Sequence, residues 1–210
     1  MKIMLLYGGP HKEGCSAEIL KIAKKRFGSA GLETELFWIG NEPVSGCLAC
    51  KRCAVLGRCT IDDPVNVFLE HMRACDALMM ACPVHFGAPP GTMVSFLDRA
   101  FYVARRHENL FAGMPAAAIV SARRMGTTST LDILNRFITC MEMPLVTGRY
   151  WPAVHGQRPE EIYQDEEGVQ TICDITDNMI WLLQCKEIAS GTGIRPPDKV
   201  PLAQTHFIRH

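Results

Sequence analysis

The sequence predicts an α/β fold, a five-stranded parallel sheet with helices on both faces. Two observations predict it. Short apolar runs alternate with longer segments of helical period along most of the 210 residues. The runs are close to continuously apolar, as in strands buried on both faces. Right-handed crossovers then leave few topologies.

Lys2–Tyr7 is the first run and stops at Gly8-Gly9-Pro10. It reads as a buried strand followed by a breaker. From Ser16 the period changes: Ile19, Ile22, Ala23, Phe27 and Ala30 share a helical face, with Gly28 and Gly31 near the end. Leu32–Ile39 alternates in part, so it is placed nearer a sheet edge. Residues 41–61 are long and irregular. Asp63-Pro64 marks a helix start, an acidic cap before a first-turn proline, continued by Phe68, Met72 and Cys75. Asp76–Cys82 is the third strand, ended by Pro83. Met93, Phe96, Leu97, Ala100, Phe101 and Ala104 mark a helix, Pro115–Ser121 the fourth strand, and Leu131, Leu134, Ile138 and Met141 another helix. Pro144–Thr147 is predicted as a short fifth strand. Val169 to Leu183 forms the last helix. Residues 1–189 then make one domain and 190–210 an extended tail.

Composition narrows the function. Hydrophobic residues make up 48% and charged residues 21%, which excludes disorder and coiled coil. Lys+Arg and Asp+Glu are 22 each, so charge gives no reason to expect a nucleic-acid or anionic-membrane partner. No apolar run is long enough for a membrane helix. Because residues 2–7 already read as core, no secretory leader is expected and the cytoplasm is the expected compartment. In a reducing compartment, clustered cysteines more often hold metal or do redox chemistry than form disulfides. Six of the ten cysteines are scattered, and most of these read as small buried hydrophobes.

In open parallel sheets ligands sit beyond the C-terminal strand ends, so the loops after strands one, three and four are the candidates. The first, Gly8–Ser16, joins a buried strand to a helix start and suits an anion, with Ser16, Lys12 and His11 adding a hydroxyl and charge. It is neither a P-loop nor a GxGxxG turn. A plain turn with Ser16 as helix cap is the alternative. The second, Pro83–Gly91, offers a stiff backbone with His85 and Phe86 for a planar ring, or merely a stiff connector. The third, Ala122–Thr128, puts Arg123 and Arg124 at the sheet edge. Cys47, Cys50, Cys53 and Cys59 have the spacing Cys-x2-Cys-x2-Cys-x5-Cys, with Lys51 and Arg52 favouring thiolates. Four thiolates suit an iron–sulfur cluster first and zinc second. A thiol group that only packs the loop, or a thiol sensor, is the remaining reading.

These stretches resemble the NADPH-dependent FMN reductase group of the flavodoxin-like superfamily. The Gly-Gly-Pro-His turn is similar to that family's Gly-Ser-Pro-Arg turn, Cys47–Asp63 to its cysteine segment, and Ala81–Gly87 to its Ser-Pro-Val-Tyr-Phe-Gly flavin loop. Phe96-Leu97-Asp98-Arg99, Tyr150-Trp151, Asp165–Gly168 and Asn178–Leu183 extend the likeness over nearly the whole chain. The resemblance implies a flavodoxin-like three-layer sandwich with strand order 2-1-3-4-5. It implies FMN held by Pro10, His11, Cys15, Ser16 and Ala17, by Pro83, Val84, His85, Phe86, Gly87 and Ala88, and by Ser121, Arg123, Arg124 and Gly126. Gly9, His11, Cys15 and His85 depart from the family pattern and predict a weaker hold on FMN. Iron–sulfur flavoproteins share the cysteine spacing, so Cys47, Cys50, Cys53 and Cys59 are candidate ligands of a 4Fe–4S cluster.

The expected function is FMN-dependent oxidation–reduction, with NAD(P)H as donor and a small-molecule or protein acceptor. Flavin carries the chemistry, so no catalytic acid, base or nucleophile is expected. An electron carrier with FMN and a cluster but no substrate of its own is the alternative. A homodimer or homotetramer is expected, with the apolar Pro201, Leu202, Phe207 and Ile208 of the tail docking across a two-fold interface.

Overall fold

The computed structural model describes residues 1–200, 203, 205 and 207. In chain order the elements are β1 (Lys2–Tyr7), α1 (Cys15–Ser29), β2 (Glu33–Trp38), α2 (Cys53–Leu56), α3 (Pro64–Met72) and β3 (Ala77–Pro83). They continue with α4 (Gly91–His107), β4 (Ala116–Ala122), α5 (Thr127–Cys140), β5 (Ala153–His155), a 3-10 turn Pro159–Gln164 and α6 (Glu166–Gly191). All strand pairs are parallel and the order is β2-β1-β3-β4-β5. This is the flavodoxin-like arrangement, with the order reversing between β1 and β3.

The period-2 alternation of β1, β3 and β4 divides the core into two layers. Ile3, Leu5, Met79, Ala81 and Ile119 pack against α1 and α6. Met4, Leu6, Met80, Cys82 and Val120 face α3, α4 and α5. On that second face Phe37, Phe68 and Phe96 meet edge-on or tilted, with centroids 5.4 Å (Phe37–Phe68) and 5.2 Å (Phe68–Phe96) apart. Burying one such ring is worth about 1.5–3 kcal/mol. Asp63 caps α3 as expected, its carboxylate accepting from the Val65 amide at 3.1 Å.

Two expectations are corrected. The fifth strand is not Pro144–Thr147. That segment makes one parallel bridge, Leu145 to Ala116, at the start of β4. The strand proper, Ala153–His155, lies further along the same edge and pairs with Val120–Ala122. Between them the chain leaves the edge and is tied to α6. Asn178 donates to the Thr147 carbonyl at 2.7 Å and Arg149 pairs with Asp174 at 2.7 Å. Gly148 packs so closely that an added Cβ would meet Ile175 at 3.1 Å. Secondly, Ser16 does not cap α1. Gly14 holds that position without a side-chain bond, and Ser16 lies inside the first turn.

α6 runs to Gly191, two residues past the boundary expected at 189. Of the tail's apolar residues, Phe207 is exposed; Pro201, Leu202 and Ile208 lie outside the described residues. Among the described residues no helix is long and apolar enough to cross a membrane.

Candidate functional site

Beyond the C-terminal strand ends lies a cleft of about 450 Å3. Four loops line it. The first contributes Gly9, Pro10, His11, Glu13, Gly14, Cys15 and Ser16; the second Pro83, Val84 and His85; the third Ser121, Ala122 and Arg123. The fourth, Gly156, Gln157 and Pro159, follows β5.

The floor is the start of α1. The amides of Cys15, Ser16 and Ala17 have no backbone acceptor, as expected of a first helical turn, and the helix dipole makes the spot electropositive. The Ser16 hydroxyl lies 3.4 Å from that of Ser121, tying α1 to β4. Burial pushes the Cys15 thiol up from its ordinary value, so it stays neutral there. Glu13 is an acid on an anion-favouring wall. It pairs with Lys21 at 2.6 Å, which holds its carboxyl below the usual range.

Pro83–Ala88 makes a tight hairpin. His85 and Ala88 exchange both backbone bonds, at 2.8 and 3.0 Å. Phe86 and Gly87 between them have φ of 50° and 75°, the signs a two-residue type I′ turn requires. The Val84 amide is spent on the Ser121 carbonyl at 2.9 Å. In this hairpin only the Phe86 and Gly87 amides remain without a backbone acceptor, and the Phe86 ring is fully exposed. Gly126 supports the hairpin from the third loop. Its φ is 92°, and an added Cβ would lie 2.8 Å from Val84 Cγ1 and 3.0 Å from Gly87 Cα.

Not every expected residue reaches the cleft wall. Pro10, His11, Cys15, Ser16, Pro83, Val84, His85, Ser121 and Arg123 line it; Ala17, Phe86, Gly87, Ala88, Arg124 and Gly126 do not. The sequence reading missed Gly156, Gln157 and Pro159. With the fifth strand set at Pro144–Thr147, the loop after the true strand was invisible. A strand of three residues offers little periodicity to read. That loop is firmly held: Glu161 accepts from the amides of Gln157 and Arg158 at 2.8 and 3.2 Å, and Gly156 donates to the Ala122 carbonyl at 3.0 Å.

A wider hollow of about 670 Å3 lies between α1 and α6. It is lined by the last turn of α1 and the Arg26–Asp177 ion pair, at the opposite end of the sheet.

The cysteine loop forms a second centre. Cys47, Cys50, Cys53 and Cys59 line one small cavity of about 20 Å3 with Arg99 and Tyr102. Ala49 and Lys51 take positive φ, 51° and 59°, which folds the segment back on itself. The Ala49 amide points at Cys47 Sγ at 3.4 Å. The Arg52 amide and Thr60 hydroxyl hold the Cys50 thiol below its usual range, while burial raises that of Cys53. Asn66 clamps Cys59 by both backbone groups, accepting from its amide at 2.8 Å and donating to its carbonyl at 3.1 Å.

Among the described residues no three His, Cys, Asp or Glu side chains are arranged to hold a single metal ion. Zinc would need four ligands converging on one ion. A cluster takes one thiolate at each of four corners and spreads its ligands more widely. Four thiols around one cavity, beside a cation and with N–H groups aimed at two of the sulfurs, fit that donor set.

The sheet order and the cleft at its reversal point define a flavodoxin-like protein. The chain belongs to the NADPH-dependent FMN reductase family, whose model matches residues 1–158. A protein called iron-sulfur flavoprotein from Methanosarcina thermophila is 35% identical over 190 residues, covering 88% of this chain and 96% of that one. Among solved structures, an archaeal flavodoxin superposes with TM-score 0.60 at 10% identity, over 88% of this chain and 99% of its own. FerB, a flavoenzyme NAD(P)H:(acceptor) oxidoreductase from Paracoccus denitrificans, gives TM-score 0.63 at 17% identity, over 88% and 97%.

Proposed function

We propose that the chain is an FMN-dependent oxidoreductase that takes reducing equivalents from NAD(P)H and passes them to a small-molecule acceptor of quinone type or to a protein acceptor. The carrying observation is the convergence of four loops on one cleft floored by the open amides of α1. The Cys15 and Ser16 amides hold the phosphate, with His11 at the rim. Pro83, Val84 and His85 form the wall against the ring, the free Phe86 and Gly87 amides lie at the hairpin tip beyond that wall, and Arg123 supplies positive charge beside the ring. Bound FMN supplies hydride acceptance and one-electron release. Arg124 stands outside the cleft and is left without a role in it.

A second reading is favoured by the four thiols around one cavity and by the name of the Methanosarcina relative. In it Cys47, Cys50, Cys53 and Cys59 hold a 4Fe–4S cluster and the chain serves as an electron carrier. A reducing cytoplasm keeps such thiols free. Assembly as a homodimer or homotetramer is supported by the exposed Phe86 and Met125 on the cleft loops.

The test starts with the visible spectrum of protein purified without oxygen, which reports flavin and cluster together. Ser16→Glu then probes the phosphate seat. FMN affinity is expected to fall about tenfold, or about 1.4 kcal/mol, while riboflavin affinity holds. Equal loss of both ligands, or of neither, overturns the placement. Rapid flavin bleaching by NADPH or NADH supports the oxidoreductase; a cluster with no nicotinamide turnover supports the carrier.

A further inference from the structure

Among the described residues Arg99 is the one charged side chain in the set of largest fully buried residues, 1% exposed, and the cleft does not use it. It belongs to α4 but points into the cysteine loop. Its Nε and Nη2 both donate to Cys59 Sγ, at 3.3 and 3.2 Å. Nη1 donates to the Asp63 carboxylate at 2.5 Å and the Ser45 carbonyl at 3.3 Å, and Nη2 is shared with the Asp63 carboxylate at 3.0 Å and the Ile61 carbonyl at 3.1 Å. A buried cation is costly unless every donor is met. Here one is kept, fully bonded, with two donors converging on a single sulfur.

We propose that Arg99 is a positioning residue that sets the reduction potential of the four-thiolate centre through Cys59, with Asp63 as the counterweight. The inference rests on the second reading above. Adding one electron to a thiolate-bound centre adds negative charge, with no bond made or broken. Fixed positive charge and N–H groups donating to a ligand sulfur therefore favour the reduced state. Asp63, bonded to the same guanidinium, opposes that effect. The two residues thus push the potential in opposite directions, which a purely structural pair would not do.

The geometry also supplies usable variants. Arg99→Lys keeps a positive charge, but an ammonium cannot send two donors to Cys59 while meeting Asp63, Ser45 and Ile61. Asp63→Asn removes the opposing charge and keeps the α3 cap, since Asn caps as well as Asp. Arg73→Gln, on an exposed pair with Glu108, is the control.

The experiment uses full-length protein purified without oxygen. Iron and sulfide are assayed, then the centre is titrated with dithionite and mediators and followed by its EPR signal. Arg99→Lys is expected to make reduction about tenfold less favourable, about 59 mV lower for a one-electron couple. Asp63→Asn is expected to shift it upward, and Arg73→Gln to leave it in place. Wild-type protein without iron overturns the four-thiolate reading and this inference together. Iron present, with both potentials unmoved or moved the same way, overturns the inference alone. If Arg99→Lys loses iron, the upward shift in Asp63→Asn carries the decision. Loss of iron in both variants assigns the pair to holding the loop and overturns the potential-setting role.

Discussion

In the cleft, the groups that would meet a ligand are mostly peptide amides at strand and helix ends, fixed by a sheet buried on both faces. In the cysteine loop, side chains do the holding: Arg99, Asp63 and Asn66 reach in from α4 and the start of α3 to fix a segment whose only regular piece is the single turn α2. The difference has a consequence for tolerance. A site made of backbone survives side-chain change, so His11 and His85 can stand where the family pattern has other residues. A loop held by a few buried polar groups depends on each of them.

The largest expected effect breaks the loop and spares the cleft. Arg99→Gln leaves Asp63 without its buried partner and should cost about 3–5 kcal/mol in urea unfolding. The exposed Arg58→Gln should stay within about 0.5 kcal/mol. A small loss for Arg99→Gln would mean that the loop is held by something else.

Next comes the cleft's own weak point, where backbone meets backbone. Gly126→Ala forces a Cβ to 2.8 Å from Val84 at a φ of 92°. Strain of this kind costs about 1–3 kcal/mol, read by calorimetry. FMN affinity should fall with it, because the hairpin that Gly126 supports must shift.

A smaller effect should sharpen the contrast by improving the cleft. His11→Arg places a permanent charge at the cleft rim, near the start of α1, and is expected to tighten FMN by about 0.3–1 kcal/mol at low salt. The gain should shrink as salt rises and be absent for riboflavin.

The smallest effect separates the scattered cysteines from the loop. Burial pushes the Cys75 thiol up to about 11 and that of Cys82 up to about 12. Both should resist iodoacetamide in the folded protein at pH 8, while the exposed Cys140 and Cys185 react. The unfolded chain loses these two protons first, near pH 8.5, so they add no pH dependence below that. Above it, stability falls as pH rises toward the folded values, because the unfolded chain then binds fewer protons than the folded one.

Much of this was legible in the chain. Strands β1 to β4 fall within one or two residues of the segments read as strands: β1, β3 and β4 because a doubly buried strand must be apolar throughout, and the half-buried edge strand β2 because it alternates in part. The Asp63-Pro64 helix start was equally plain, since capping is local chemistry. The first three cleft loops followed from strand ends. The fourth did not, because Pro144–Thr147 is the more apolar segment and looks like the better strand. Ties from Thr147 and Arg149 to α6 pull the chain off the edge, and no local pattern records them. Arg99 was visible only as part of the Phe96–Arg99 signature; a buried arginine in a helix looks like any other until its partners are known.

What the sequence determined by itself is what short-range chemistry encodes: the alternation of buried strands and helices, the helix start at Asp63, the breakers that place loops at one end of the sheet, and the compact cysteine spacing. Tertiary structure alone decided which segment completed the sheet edge, that Gly156–Pro159 closed the cleft, and that Arg99 reached Cys59 across 40 residues. These choices depend on contacts between distant segments, where the competing local options are nearly equal and the energy of packing and buried hydrogen bonds selects among them.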